Sequence, residues 1–305
     1  MAEKAPDIPI WRLMIVKNFS LTHPLLVLCL PVISLIYQPT AFAEANHQHQ
    51  TASNKKAEQI IQPSIQLRIE KITNEKGKKL VLVKLTESKT NKPITLKDLS
   101  EVHTQKIHML VIDDSLSDYS HVHPVETKIP GLYEFAWQPS MKSANYRIWA
   151  DLLPVKTKQQ EYIIADLYKA KTTKAKIIPS LSMESLVEGY KFKLSFDQSQ
   201  LHPGQAAMGK IEVRDAQNKP IHNLEPIMGA YAHIVGFNDD FKTVVHIHPM
   251  GTEPTKASDR GGPMLEFHIE PEKSGYIKLF AQVKINNKEF FVPFGVYVQK
   301  PEGDF

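Results

Sequence analysis

The chain has 305 residues, of which 42% are hydrophobic and 23% are charged, the ordinary composition of a globular protein. At about 150 residues per domain, this length allows about two domains. Lys and Arg number 37 against 33 Asp and Glu, and no Arg-rich cluster indicates a nucleic-acid surface. The single cysteine, Cys29, excludes a disulfide framework, a cysteine zinc site and a thiol redox pair.

The first 43 residues have the pattern of an export signal. Lys17 precedes an apolar core at residues 25–37, and an A-x-A cleavage motif ends at Ala43. Met14 would begin a signal of more usual length. The core is too short for a stable membrane helix of about 20 residues. We therefore expect cleavage after Ala43, no stable membrane span afterwards, and a mature protein without cysteine in the periplasm or outside the cell.

Residues 44–63 are polar and rich in Gln, which predicts a flexible linker. Beyond them, short runs rich in Val, Ile, Tyr and Phe alternate with turn residues, which is typical of an all-β sandwich. In the first half these runs are residues 66–72, 79–85, 107–112, 119–123, 132–137, 146–151 and 162–168. The second half gives a similar series. The sequence predicts an all-β chain with two tandem immunoglobulin-like, or cupredoxin-like, β-sandwiches.

One module occurs twice in the chain. The motif H-x12-H-x-H-P appears in two copies that lie 125 positions apart. Its members are His108, His121, His123 and Pro124 in the first copy, and His233, His246, His248 and Pro249 in the second. Farther along, residues 146–149 align with residues 276–279. We therefore predict a first repeat at 64–178, a linker at 179–188 and a second repeat at 189–300.

The polar residues of the motif are identical in the two copies, whereas the apolar positions differ. Protein cores tolerate volume-conserving exchanges, so changes at apolar positions are ordinary. The retention of three histidines needs another reason. Asp114 and Asp239, which are also identical, fall in predicted turns, and we interpret them as turn formers.

A hairpin turn centred on residues 115–116 would place the first three histidines on one face. It pairs positions whose numbers sum to 231, so that His108 faces His123, and His121 lies two residues along the same strand. Directly paired Cβ atoms are about 5 Å apart, which lets imidazoles share one metal ion with bonds of about 2.0–2.1 Å. A turn at residues 240–241 gives the second copy the same geometry.

Two histidine triads are therefore the candidate metal ligands. They are His108, His121 and His123 in the first repeat, and His233, His246 and His248 in the second. His103 and Met228, which are also 125 positions apart, are further candidates. Imidazoles suit copper, zinc and nickel, and the Irving–Williams order and a methionine sulfur both favour copper. The two triads form either separate sites or one shared site.

Two other functions fit parts of the sequence. Exported immunoglobulin-like modules bind protein partners through their loops, in which case the histidines are structural. A two-domain cupin enzyme also carries an H-x-H motif in each β-barrel, although it needs a downstream histidine that the first copy lacks. The sequence has no nucleophile elbow, H-E-x-x-H motif or P-loop. We expect a non-enzymatic protein that carries or buffers metal and meets a periplasmic metal-handling partner.

The motifs resemble two groups of exported bacterial proteins. Residues 218–221, 228–233 and 275–279 resemble the turn, the Met/His strand and the closing strand of YtkA-like modules. Residues 108–124 resemble the HxH-P segment of uncharacterised secreted β-sandwich proteins. The resemblance covers residues 64–299. It implies a periplasmic β-sandwich linked to the handling of copper or other heavy metals, and no established reaction.

Overall fold

A computed structural model describes residues 62–141, 143–169, 175 and 177–300. The expected signal at 1–43 and nearly all of the expected linker at 44–63 lie outside these residues, so both stay predictions. Within the described ranges, no helix is long and apolar enough to cross a membrane.

The first repeat folds into two antiparallel sheets. Its strands are β1 (Ile65–Glu75), β2 (Lys78–Glu87), β3 (Leu99–Ser100), β4 (Ile107–Asp113), β5 (Tyr119–Val122), β6 (Val125–Glu126), β7 (Leu132–Trp137), β8 (Tyr146–Pro154) and β9 (Glu161–Tyr168). One sheet has the order β1-β2-β7-β6. In the other, β8 lies between β9 and β4, and β5 follows β4. Every strand predicted for this half of the chain is present.

The second repeat has the same arrangement. Its strands are β10 (Glu184–Val187), β11 (Tyr190–Phe196), β12 (Ala207–Arg214), β13 (Leu224–Glu225), β14 (His233–Asn238), β15 (Val244–Met250), β16 (Met264–Ile269), β17 (Gly275–Ile285) and β18 (Lys288–Val298). β12 pairs with β16 as β2 does with β7, and β17 lies between β18 and β14 as β8 lies between β9 and β4. β15 pairs with both β14 and β16 and therefore joins the two sheets.

This strand order is immunoglobulin-like, so the prediction of two tandem immunoglobulin-like sandwiches is confirmed. It differs from the jelly-roll order of the cupin alternative. The predicted linker at 179–188 was drawn too long, because it contains β10, which pairs with β11 along its full length. Hydrogen bonding to β11 makes this segment part of the second sandwich.

The predicted hairpin registers are both confirmed beside the turns, whereas His248 pairs with His268 on β16 instead of with the predicted His233. Leu110 pairs with His121 on β4 and β5, and Val235 pairs with His246 on β14 and β15. In the first turn, Asp113 Oδ1 accepts hydrogen bonds from the Ser117 and Asp118 N–H groups, at 2.7 and 2.8 Å. A carboxylate that closes the turn in this way fixes the register of the strands that follow.

The prediction that Asp114 and Asp239 form the turns is wrong, because in each hairpin the adjacent aspartate, Asp113 or Asp240, does so. Asp114 Oδ2 accepts a 2.6 Å hydrogen bond from Asn145 Nδ2, and Asp239 Oδ2 accepts one of 3.3 Å from Tyr276 N–H. Both carboxylates therefore tie the turn to the start of the neighbouring strand in the sheet, β8 in the first repeat and β17 in the second. In the second hairpin it is Asp240 that closes the turn.

The two sandwiches pack against each other through the outer faces of their sheets, within one compact unit of residues 59–305. All seven residues of β4 are buried, because alternate side chains face opposite sides of the strand and both sides are covered. Met109 and Val111 face the first core, while Leu110 and Ile112 face the second repeat. The buried interface residues are Leu110, Ile112, Leu116, Tyr119, Trp149, Val235, Phe237, Phe241 and Phe280.

The strand register corrects one part of the repeat alignment. Leu110 pairs with Trp149, whereas its counterpart Val235 pairs with Phe280. Phe280 is therefore the counterpart of Trp149, and the aligned Leu279 belongs to the core of the second sandwich. A slip of one residue exchanges the two faces of a strand, so only the true register shows that both aromatic residues lie in the interface.

Replacing Phe237 by Ala should destabilise the protein, because this side chain is fully buried between the repeats. We expect a loss of about 3–5 kcal/mol in the free energy of unfolding, measured by urea denaturation. Tyr297→Ala, at a position that is 44% exposed on β18, is the control and should change stability little. Equal effects of the two substitutions would contradict this packing.

Candidate metal centre

The interface changes from apolar to polar along the strands, and histidines occupy its polar end. His108 lies two residues before Leu110 on β4, and His233 lies two residues before Val235 on β14. Side chains two residues apart on a strand share a face. The same faces that bury apolar side chains therefore bring histidines of both repeats together.

Among the described side chains, five histidines form this group, which we call the His cluster: His103, His108, His121, His123 and His233. His108 Nδ1 lies 3.0 Å from His121 Nε2 and 3.2 Å from His123 Nε2. One ligand atom from each of His108, His121 and His233 lies within 4.8 Å of the other two. Two nitrogens bound to one tetrahedral ion at 2.0–2.1 Å lie about 3.3 Å apart, so this spacing is close to that of a metal centre.

The two repeats contribute equivalent residues to the cluster. His108 and His233 hold the same position in the duplicated motif, and their rings stack with centroids 5.9 Å apart and planes only 8° from parallel. His121 also lies next to His233, with ring centroids 4.9 Å apart. The cluster therefore contains side chains from both sandwiches.

His103 and Met228 occupy matching turns. Val102 and Gln105 exchange backbone hydrogen bonds, as do Ile227 and Ala230 in the second repeat. The central residues of both turns have positive φ, 47° at His103 and 50° at Met228. His103 reaches the cluster, with its ring centroid 5.4 Å from that of His233.

Hydrogen bonds fix which nitrogen of two buried histidines carries the proton. His108 Nε2 lies 2.9 Å from the carbonyl oxygen of Val102, which can only accept, so Nε2–H is the donor. Gln282 Nε2 donates to a carboxylate oxygen of Glu289 at 3.0 Å, which turns its Oε1 towards His121 Nδ1, also at 3.0 Å. His121 Nδ1–H is therefore a donor. The lone pairs of His108 Nδ1 and His121 Nε2 then face each other.

Burial keeps these imidazoles neutral. Desolvation, together with a smaller effect of the neighbouring imidazoles, lowers the pKa of His108 to about 4 and that of His121 to about 3. Burial also lowers the pKa values of His103 and His123. Neutral imidazole is the form that binds a metal ion, so the cluster has its ligands ready at neutral pH.

A buried carboxyl group lies beside the cluster. Asp151 on β8 pairs in register with His108, and Gln160 Nε2 donates a 2.7 Å hydrogen bond to its Oδ1. Burial raises the pKa of Asp151 to about 6. Its pKa shift is therefore opposite in direction to those of the histidines.

The structure does not divide the predicted ligands into one triad for each repeat. His108, His121 and His123 lie together as predicted, but His233 joins them across the interface. His248 is exposed and pairs with His268 on β16, because β15 turns away from β14 to join the other sheet. The side chain of His246 lies outside the described residues, so its role as a ligand stays a prediction.

Sequence reasoning missed two residues of the second repeat: Gln282, which accepts a hydrogen bond from His121, and Glu289, which accepts one from Gln282. Gln282 is only 5% exposed and stands among apolar residues of β17. A lone amide in a buried strand needs a hydrogen-bond partner, which is the one signal that the sequence offered. Its partner on a different repeat could be found only from the packing.

The chain matches a family model described as a domain of unknown function, DUF8832, over residues 62–165 and 185–300, and it belongs to that family. No curated protein matches the sequence.

Three solved structures share low similarity with the chain. Domains 4 and 5 of the S-layer protein SbsC are 11% identical, with 78% of this chain and 98% of that chain covered and a TM-score of 0.21. The D00-D0 domain of intimin is 9% identical, with 77% and 99% covered and a TM-score of 0.22. Native E. coli alpha-2-macroglobulin is 12% identical, with 77% and 14% covered and a TM-score of 0.20. At these scores the matches support no conclusion about function.

The buried histidines should make the metal-free protein less stable in mild acid. An unfolded histidine has a pKa of about 6.5, so below that pH the unfolded chain binds protons that His108 and His121 in the folded protein do not. The free energy of unfolding should fall from pH 7 to pH 5, by up to about 1.4 kcal/mol per pH unit for each such proton. Urea denaturation with a chelator present measures this slope.

The control for this slope is a variant without the two buried groups, His108→Asn with His121→Asn, which should show a shallower decline. Protonation of the buried Asp151 stabilises the folded protein below about pH 6 and so opposes the effect of the histidines. Asp151 is present in both proteins, so the difference between the two slopes reports on the histidines alone. Identical slopes would contradict the assignment of neutral buried imidazoles.

Proposed function

We propose that this member of the DUF8832 family is an exported protein that carries or buffers a transition-metal ion, copper before zinc or nickel, in the His cluster between its sandwiches. The observation that carries the proposal is the 3.0 Å approach of His108 Nδ1 to His121 Nε2, the two ring nitrogens left without a proton when the other nitrogens donate to Val102 and Gln282. Two lone pairs at this distance repel each other, and a metal ion bound by both nitrogens removes that repulsion.

A metal ion fits this position better than a proton does. The lowered pKa values of His108 and His121 mean that the buried site disfavours the imidazolium form at neutral pH. His123 and His233 lie within reach as further nitrogen ligands. The Val102 carbonyl and Gln282 accept hydrogen bonds from the ring nitrogens that face away from the ion, which is the usual means by which proteins orient metal-binding imidazoles.

Copper is favoured by the type of ligand. An all-imidazole set binds copper, zinc and nickel, and the Irving–Williams order places Cu(II) highest among them. Residues of the described chain offer no thiolate near the cluster. The resemblance to YtkA-like modules and the expected export signal agree with metal handling outside the cytoplasm.

The alternative of a protein-binding module without metal accounts less well for the cluster. It expects histidines that are solvated or packed singly among aliphatic side chains. Here five histidine rings lie against one another at centroid distances from 4.7 to 6.3 Å. Burying several imidazoles together costs desolvation free energy. Binding of one shared metal ion would offset that cost.

Metal titration of the exported chain tests the proposal. We expect one tightly bound Cu(II) per chain at the cluster, and a loss of more than about 100-fold in affinity for the variant His108→Ala with His233→Ala. The matched control, His202→Ala with His222→Ala, removes two histidines outside the cluster and should bind as the unmodified chain does. Isothermal titration calorimetry with Cu(II), Zn(II) and Ni(II) gives affinity and stoichiometry.

The outcome separates a shared site from independent ones. Removing His108 and His233 takes one ligand from each repeat, and circular dichroism checks that the variant is folded. Unchanged affinity in that folded variant would refute the proposal. Two equal sites per chain, each lost with the histidine of its own repeat, would refute the shared centre.

Gln282→Leu should weaken metal binding without removing a ligand. The substitution removes the acceptor that holds His121 Nδ1–H, so the imidazole loses its fixed tautomer and orientation. Changes to such outer partners lower affinity by about 10–100-fold. The control is Gln205→Leu on the exposed surface, and an equal affinity of both variants would show that Gln282 does not position His121.

A further inference from the structure

The exposed face of the second sandwich carries a row of metal-binding side chains on three neighbouring strands. His268 on β16 pairs with His248 on β15 and with Met208 on β12. The residues beside them in sequence, Ile247 and Phe267 among them, are buried in the core. Because side chains alternate along a strand, His268, His248 and Met208 share the opposite, outer face.

Two more methionines lie on this face. Met250 follows His248 by two residues and is 51% exposed, and Met264 precedes Glu266 by two residues and is 44% exposed. Met250 pairs in register with Glu266. A large apolar side chain costs free energy when it is left in water. Met208 and Met250 lie beside the two imidazoles, and Met264 lies four residues along β16 from His268.

The spacing suits a chelating pair. Directly paired side chains on adjacent strands have Cβ atoms about 4.5–5.5 Å apart, so the imidazoles of His248 and His268 can bind one ion together. The sulfur of Met208 lies on the next strand on the other side of His268. Imidazole with thioether is a soft donor set, which selects Cu(I) among the ions of this class.

Two members of this row, Met208 and His268, have no counterpart of the same type in the first repeat. In the first repeat, Glu134 on β7 is the counterpart of Glu266 and pairs with Leu82. The positions that match Met208 and His268 are Leu80 and Ala136, which pair with each other in the same register. Met208 and His268 therefore occur in the second repeat alone, whereas His248 is the counterpart of His123 in the duplicated motif.

We infer that the outer face of β12, β16 and β15 is a second metal site, solvent-exposed and selective for Cu(I), with His248 and His268 as ligands and Met208 as a soft third donor. It uses none of the residues of the His cluster. An exposed site of this kind exchanges its ion with other molecules more readily than a buried one.

The test uses full-length chain in which His108→Ala and His233→Ala have removed the buried centre. Anaerobic titration with Cu(I) against a chromophoric competitor gives affinity, and NMR of ¹³C-methyl-labelled methionine reports on the Met208 methyl group. We expect one Cu(I) equivalent with a shifted Met208 signal, and loss of both in the further variant His248→Ala with His268→Ala. Met208→Leu should weaken Cu(I) binding at least about tenfold and leave Zn(II) binding unchanged.

The outcomes for the two sites are distinguishable. Cu(I) binding that persists without His108 and His233 and disappears without His248 and His268 supports the second site, whether or not the buried centre binds metal. An unshifted Met208 signal, or Cu(I) affinity that is equal with and without His248 and His268, overturns it. His222→Ala, at an exposed position away from both sites, is the control.

Discussion

The rest of the structure depends on one constraint, which is the packing of the two sandwiches against each other. They pack through strand faces that would meet water in a single sandwich. It requires β4 and β14 to be apolar on both sides, so that Leu110 and Phe237 are buried as deeply as the residues of either core. Aromatic contacts, such as the 5.3 Å approach of Trp149 and Phe237, fill the interface. A 3.1 Å hydrogen bond from Trp149 Nε1 to the carbonyl oxygen of Lys242 also links the two sandwiches.

The same alternation explains why histidines collect at one end of this interface. A strand that presents Leu110 to its neighbour also presents His108 two residues earlier, and the duplicated strand does the same with Val235 and His233. Burial of imidazoles costs free energy unless their N–H groups find acceptors. The Val102 carbonyl is the acceptor for His108, and the Gln282 side chain of the second repeat is the acceptor for His121.

The two copies of the duplicated hairpin place their histidines in different surroundings. The first hairpin holds His121 and His123 against His108 inside the interface, whereas β15 crosses to the other sheet and exposes His248. The pair Gln282 and Glu289 comes from strands of the second repeat and orients a histidine of the first. A centre built in this way depends on both sandwiches, and neither repeat contains it alone.

The sequence by itself determined the fold class, the strand series of each repeat, both hairpin registers and the convergence of His108, His121 and His123. These follow from local rules, because strand alternation and turn position decide which side chains share a face. Only the tertiary structure decided that His233 belongs with the first triad and that Gln282 holds His121. Those contacts join positions more than 100 residues apart. They cross an interface whose apolar residues have the same sequence pattern as the residues of an ordinary core. Periodicity shows that a face is buried, and the packing of whole sheets decides what buries it.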